Sequence, residues 1–499
     1  MAEHVHTAKR HRAASATARD PHFPALHLRP PRNWLNDPNG LVFHDGHYHV
    51  FFQYNPGSAR HADMHWGHFR SADLLDWELL PIALAPTPGG EDTEGVWSGN
   101  AVEAGGELVA FYSAKHPDRW YQPVARAVSR DGGLTFAKHD RLLVPEPPAD
   151  TTMFRDPYVW RDGDRWRMLV GAALGDGRGA AVQYSSTDLT DWVYQGVFLA
   201  RAPEPLPGGD NTEEGWECAQ YAHFGHGRGA VIVSAWDPDD GALCTAAWPG
   251  HEENGAFVAA SPQRLDHGPD FYAPALLPAL DGRWLMWGWI WEARDEARVG
   301  APSEWTDEVG WAGMLSLPRE LTLDADGVVV QRPAREIGRL RRDRRVAATG
   351  ESRPGRPADL GEIDSVCDIT ARLDTGGGLR LVTDAADGEY LDIVRDPATA
   401  EVVVDRSHAS LDPRAKGGSW RLPAPAGPVD IRVVLDRSAA EVFTAEGQAL
   451  TLRLYPAGRG PWRLQATAAG ATPVPYAVEA WDLAGLRIHD RRPASEQAS

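Results

Sequence analysis

Ser71-Ala72-Asp73-Leu74-Leu75-Asp76-Trp77 is a short cassette that returns twice, as Ser129-Arg130-Asp131-Gly132-Gly133-Leu134-Thr135-Phe136 and as Ser186-Thr187-Asp188-Leu189-Thr190-Asp191-Trp192. The copies start 58 and then 57 residues apart. Between them run short alternating apolar segments broken by Asp-Gly, Gly-Gly and Pro. Leu41-Val42-Phe43 and Tyr48-His49-Val50-Phe51 flank His44-Asp45-Gly46-His47, and Gly105-Gly106 precedes Leu108-Val109-Ala110-Phe111-Tyr112. Such segments read as β-hairpins. A repeat of this size built of strands predicts propeller blades, because one four-stranded sheet cannot bury both faces alone and must stack on its neighbours. Strand-rich sequence continues through Val231-Ile232-Val233 to Trp284-Leu285-Met286-Trp287-Gly288-Trp289. The span from Trp34 to Leu321 has room for about five blades.

The chain then changes character. Arg335, Arg339, Arg341, Arg342, Arg344 and Arg345 crowd Gln331 to Val346, which reads as a solvated helical connector. After a break at Gly350 to Gly355, strands resume at Val402-Val403-Val404, at Val429 to Val434 and at Leu450 to Tyr455, and their alternation predicts an antiparallel sandwich. The expected class is therefore all-β, a five-bladed propeller followed by a β-sandwich. The expected boundaries are a mobile tail over 1–25, the propeller over 26–330, a linker over 331–355, the sandwich over 356–490 and a loose tail over 491–499.

Composition narrows the partners. The 499 residues exceed what one hydrophobic core usually serves. Fifty Lys and Arg against 70 Asp and Glu leave a net charge of −20, which argues against nucleic acid and against an anionic membrane surface. A neutral small molecule fits better, and 20 Trp supply flat apolar faces of the kind that stack on sugar rings. Cys218, Cys244 and Cys367 are too few and too scattered for a disulfide framework or a zinc site, so neither metal nor cofactor is expected. With no apolar leader segment or membrane span visible, the expectation is a cytoplasmic protein, with a homo-oligomer left open.

Three acids stand in unusual settings. Asp37 lies in Trp34-Leu35-Asn36-Asp37-Pro38-Asn39-Gly40, where Pro38 and the Asn39-Gly40 turn stiffen the backbone that presents it. Asp156 lies in Phe154-Arg155-Asp156-Pro157-Tyr158, and Glu217 in Gly215-Trp216-Glu217-Cys218-Ala219. They fall in different expected blades, whose innermost strands converge on one axial pocket. Acetal cleavage wants one carboxylate charged and another protonated, so a glycoside-hydrolysing pair with a helper follows from the chemistry.

Trp34 to Gly40 resembles the sucrose-enzyme signature of family 32 glycoside hydrolases, the invertases, levanases and inulinases. The supporting matches run in the family's order: Phe52-Gln53-Tyr54-Asn55-Pro56, Met64-His65-Trp66-Gly67-His68, Trp97-Ser98-Gly99, Arg155-Asp156-Pro157, Trp216-Glu217-Cys218, Asp270-Phe271-Tyr272-Ala273-Pro274 and Gly310-Trp311-Ala312-Gly313 leading to Leu317-Pro318-Arg319-Glu320-Leu321. A weaker echo stands at Val434 to Phe443.

The resemblance implies a β-fructofuranosidase that retains configuration, with Asp37 as nucleophile, Glu217 as general acid and base, and Asp156 holding fructose hydroxyls. Trp216 and Cys218 are expected to wall Glu217, so that desolvation keeps its proton on. Asn36, Gln53, Ser98, Arg155 and Tyr272 are expected around the sugar, with Trp97 and Trp289 as walls and His65 and Trp66 at the rim. Three departures stand out: Leu35 where Met is common, Ala219 where Pro often follows Cys, and His61 in the place of a pocket Trp. A fructosyltransferase, a fructan-binding lectin and a five-bladed hydrolase of arabinose or xylose chains share parts of this pattern.

Overall fold

The computed structural model describes residues 20–294, 303–384, 388–458 and 460–498, and these are almost entirely β. Seven sheets result. Sheet I contains Asn33–His44, His47–Asn55, His65–Ser71 and Asp76–Leu84 in sequence order. Sheet II begins with Gly95–Ala104, sheet III with Thr151–Asp162, sheet IV with Gly215–Gly225 and sheet V with Phe271–Pro278. Each of these opening strands touches the next, and Phe271–Pro278 returns to touch Asn33–His44, so five sheets close a ring around their opening strands. Closure is reinforced by Trp311–Ala312, which lies in the chain between strands of sheet V and pairs parallel with Asn33 and Trp34 of sheet I.

The repeated cassette marks one place in three successive sheets, the turn from third to fourth strand. Ser71 Oγ accepts from the Leu74 N–H at 2.9 Å, and Asp73 Oδ1 accepts from Leu75 and Asp76 at 3.0 and 2.9 Å. Ser186 and Asp188 repeat this toward Leu189, Thr190 and Asp191. Ser129 and Asp131 do the same with one more residue in the turn, reaching Gly133 and Thr135. The cassette is thus a local side-chain-to-backbone device that ends one strand and starts the next.

Sheets VI and VII hold six strands each and share one apolar core, built from residues such as Ile369, Val433 and Leu450 of one and Leu381, Ile393 and Leu464 of the other. Two expectations are corrected here. Only Arg335–Leu340 of the connector is helical, as a 3-10 turn, whereas Arg341–Ser352 is a full strand of sheet VI paired with Val474–Leu483. Its arginines meet acids across the sheet, Arg341 to Asp368 at 2.7 Å and Arg345 to Asp482 at 2.5 Å, so the basic run is strand surface. The C-terminal stretch is also docked. Arg487–Asp490 pairs parallel with sheet I, the Arg491 N–H donates to the Leu79 carbonyl, Arg492 is buried, and Glu496 accepts from the Ile82 N–H at 3.1 Å. Of the expected N-terminal tail, residues 1–19 lie outside the described residues. Asp20 is fixed by the Trp311 indole N–H at 2.7 Å.

The two halves are joined by buried charge. All five N–H groups of Arg319 are used: two go to Glu441 Oε2 at 2.9 and 2.5 Å, and the others to Asp266 at 2.8 Å, Gln331 at 3.0 Å and Thr451 at 2.5 Å. His27 bridges Asp436 at 2.8 Å and Glu441 at 3.0 Å through its two ring nitrogens. The Leu317 to Leu321 motif and the echo at Val434 to Phe443 therefore recognise each other across the junction.

Burial opposes charge on His27, but hydrogen bonds to Asp436 and then Glu441 outweigh it and raise its pKa from 6.5 to about 9. A raised histidine stabilises fully below its unfolded pKa, and that contribution is lost as pH climbs through the folded value. We expect stability to fall between about pH 6.5 and 9 by on the order of 3 kcal/mol from this group. Thermal denaturation of wild type and His27→Gln across that range checks it: the difference should shrink as pH rises.

Candidate active site

The five opening strands share one irregularity. Register is lost between Leu35 and Pro38, Val96 and Gly99, Arg155 and Tyr158, Glu217 and Gln220, and Tyr272 and Ala275. In each case two residues face one on the neighbouring strand, which is a β-bulge, and a bulge re-aims the side chains beside it. Five bulges at one level around a ring turn Asp37, Ser98, Arg155, Asp156, Glu217, Cys218 and Tyr272 toward a common centre. Asp156 and Cys218 have φ of 66° and 48°, left-handed values that cost about 1–2 kcal/mol each for residues with a Cβ. They are held there by bonds to neighbours: the Asp156 N–H donates to Ser113 Oγ at 2.7 Å, and the Cys218 N–H donates to Asp156 Oδ2 at 3.0 Å. Close approach also needs Gly171, where a Cβ would sit 2.1 Å from the Trp216 carbonyl oxygen.

Every carboxylate oxygen at the centre of the pocket is engaged. Asp37 accepts from Ser98 Oγ at 2.5 Å and from Asn36 Nδ2 at 3.0 Å, and Asn36 is itself held by the Trp34 indole N–H at 2.8 Å. Glu217 accepts from Arg155 Nε at 2.9 Å and from the Tyr272 hydroxyl at 2.7 Å. The Cys218 thiol lies 3.9 Å from Asp37 Oδ2 and 3.6 Å from Asp156 Oδ2, between the two acids. Burial, then the charges of the acids, pushes this thiol well up, so it stays protonated and donates.

Burial lifts Asp37 to about 7, and the charges of Asp156 and Glu217 add to it against the Ser98 and Asn36 hydrogen bonds. Asp156 is raised by burial and by Glu217's charge, with Arg155 and the Cys218 N–H opposing. Burial and the neighbouring negative charges thus favour the protonated forms of Asp37 and Asp156.

Of the expected residues, Asn36, Ser98, Arg155 and Tyr272 contact the carboxylates directly. His61 lies edge-on to both Trp34 and Trp97, each ring centroid 5.9 Å away, and with Trp97 it is half-buried at the pocket wall. Gln53 is buried with its amide spent on the Val96 carbonyl at 2.9 Å, tying sheet I to sheet II. Two expectations fail on burial. Trp66 has no exposed surface and donates to the Trp97 carbonyl from behind, and Trp289 is 3 % exposed and stands edge-on behind Trp34. Both support the wall without forming it. The expected apolar cover of Glu217 fails in part as well: Trp216 turns into the core against Trp248, centroids 4.5 Å apart, and only Cys218 faces the acids. The His65 Nδ1–H donates locally to the Asp63 carbonyl at 2.6 Å. Sequence reasoning missed Ser113, Gln122 (3.3 Å from Arg155 Nη1) and Trp236, none of which carries a local motif.

Ala219 leaves the bulge after Glu217 intact, since the Cys218 N–H bond to Asp156 fixes the backbone where a proline would have stiffened it.

Comparison with known proteins gives the same reading of the whole chain. A family model described as the glycosyl hydrolases family 32 N-terminal domain matches residues 27–333, and one described as the family 32 C-terminal domain matches 339–482. The chain belongs to glycoside hydrolase family 32. Family 32 relatives include a sucrose-6-phosphate hydrolase of Zymomonas mobilis, 31% identical with 87% of both chains covered. They also include a raffinose invertase of Escherichia coli, 32% identical over 87% of this chain and 90% of the relative. Among solved structures, a Bombyx mori family 32 β-fructofuranosidase superposes with a TM-score of 0.77 at 26% identity, covering 98% of this chain and all of that one. A fructan 1-exohydrolase of Cichorium intybus shares the fold, with a TM-score of 0.81 at 23% identity over 95% and 99% of the chains. The protein is a glycosidase.

The hydroxyl of Ser98 holds Asp37 below the value that burial alone would give. We expect Ser98→Ala to raise the Asp37 pKa above 7 by roughly 1–2 units, the worth of a hydrogen bond to a charged group. Carbon-13 NMR titration of labelled aspartate carboxyls reads this directly.

Proposed function

We propose that the protein releases terminal β-D-fructofuranosyl units from sucrose or short fructans with retention of configuration. The observation that carries this reading is the meeting of Asp37, Asp156 and Glu217, from three different sheets, around one pocket, with donors assigned to each. Asp37 attacks the anomeric carbon of fructose as the glycosidic C–O bond breaks, and Glu217 gives its proton to the departing oxygen. Glu217 then takes a proton from water, whose oxygen displaces Asp37 from the ester and frees fructose. Asp156, fixed by Ser113 and the Cys218 N–H, binds fructose hydroxyls, and His61 with Trp97 forms the fructose-side wall, backed by the buried Trp34. A retaining enzyme needs its two acting carboxyl groups about 5–5.5 Å apart. The five sheets that close a ring are read as a five-bladed propeller over residues 26–333, and sheets VI and VII as a β-sandwich over 341–483.

Asp37→Ala is expected to abolish fructose release from sucrose, and Glu217→Ala to lower it by roughly 10²–10⁴-fold. Both variants should keep the wild-type circular dichroism spectrum. Ordinary turnover in either one removes the assignment.

The nucleophile must be ionised, and burial holds Asp37 at about 7. The acid limb of kcat/KM against pH therefore belongs near 7, with activity declining as pH falls below it. A limb at the ordinary carboxylate value of about 4 would place the essential ionisation elsewhere.

A further inference from the structure

Trp236 ends the strand Arg228–Asp237, beside the strand that carries Glu217, and belongs to none of the motifs quoted above. It pairs across the ladder with Gly215, where a Cβ would lie 2.6 Å from the indole Cε3, so glycine is what lets the ring lie over the start of Glu217's strand. There the indole packs on the guanidinium of Arg155, Cζ to centroid 4.9 Å, and Arg155 in turn donates to Glu217 Oε1. Trp236 is half-buried, with the rest of its surface open to solvent. Trp236 stands with Glu217 through Arg155, and His61, which the Glu217 charge also reaches, stands edge-on to Trp97.

Apart from Arg155, the charges next to Trp236 on its own strand and on the facing strand are acidic. Asp237 caps the N–H groups of Asp239 and Asp240 at 2.8 and 2.9 Å. Glu213 is raised by burial, against its Asn211 hydrogen bond, and by the charges of Asp237, Glu214 and Asp210. Asp210 is neutralised by Arg264 at 2.5 Å, but no ion pair reaches Glu213, Glu214 or Asp237 among the described residues. The cation nearest the indole, Arg155, is committed to Glu217.

We infer that Trp236 is the platform for the leaving sugar, and that the acidic surround of Glu213, Glu214 and Asp237 restricts that place to an uncharged glycosyl group. The inference rests on the proposed role of Glu217, since the group that protonates the departing oxygen has the leaving sugar beside it. An indole backed by a guanidinium offers a flat apolar face to the C–H side of a hexose. A phosphate on the O6 of that hexose would bring about two negative charges against three carboxylates, and like charges brought together select against the wrong partner. The enzyme thus favours sucrose over sucrose 6-phosphate, unlike relatives named for the phosphorylated sugar.

The test measures kcat/KM for sucrose, sucrose 6-phosphate and methyl β-D-fructofuranoside, which has no leaving sugar. Wild type should prefer sucrose to sucrose 6-phosphate by about tenfold or more. Trp236→Ala should lose about tenfold on sucrose, a loss exceeding that on the methyl fructoside by at least about fivefold, and Trp236→Phe should recover most of it. Glu213→Gln should raise the ratio of sucrose 6-phosphate to sucrose turnover. Equal losses on sucrose and methyl fructoside would make Trp236 a structural prop, and a wild-type preference for sucrose 6-phosphate would overturn the charge argument. Failure to release fructose from any of the three substrates would instead remove the proposed function itself.

Discussion

Three carboxylates in one small pocket repel one another, and the ring exists in a form that can hold them. Each is stabilised by donors from sheets other than its own: Ser98 of sheet II on Asp37, Cys218 of sheet IV on Asp156, Arg155 of sheet III and Tyr272 of sheet V on Glu217. Only Asn36, which donates to Asp37, shares a strand with the acid it serves. The cluster is therefore as sound as the closure of the ring, and a shift of any one sheet would leave a buried charge uncompensated, which is far costlier than losing a surface ion pair.

Closure is secured away from the chemistry. Trp311–Ala312 fastens the end of the ring to its beginning, and the C-terminal strand Arg487–Asp490 fastens the outer edge of sheet I. The second half of the chain grips the first through Arg319, Glu441, Asp266 and His27, a network with every arginine N–H satisfied. A buried network of this kind adds little net stability over an apolar replacement, yet fixes geometry, because any displaced member leaves a charge without its partner. What the second half contributes to the pocket is a rigid outer boundary for sheet V, which carries Tyr272.

Much of the frame could be read from the chain. The Ser-x-Asp cassettes mark equivalent turns because their side chains act locally, within a few residues, and local chemistry survives in sequence. Asp37 and Asp156 are each followed by a proline that stiffens the backbone, while Glu217 is marked in the sequence only by its neighbours Trp216 and Cys218. What could not be read was direction. Trp66, Trp97, Trp216, Trp236 and Trp289 are alike in sequence terms, yet Trp97 and Trp236 face solvent at the pocket while the other three are buried behind it. Alternation along a strand assigns faces, but a bulge moves every following side chain to the other face, and the bulges fall where the pocket is made. The connector reads as a solvated helix because six arginines crowd it, whereas Arg344 and Arg345 lie on an outer strand and meet Glu479 and Asp482, acids more than a hundred residues later.

The position of Trp216 changes the electrostatic argument as well as the packing. With that ring in the core Trp216 does not cover Glu217, and the carboxyl that burial lifts is Asp37, the group proposed to attack. The proposed roles require the opposite distribution of protons, Asp37 bare and Glu217 loaded. Ionisation of Asp37 is the step that pH controls, and Ser98 and Asn36 serve it by donating to the carboxylate that burial disfavours, so the hydrogen bonds that position the proposed nucleophile also ready it for attack.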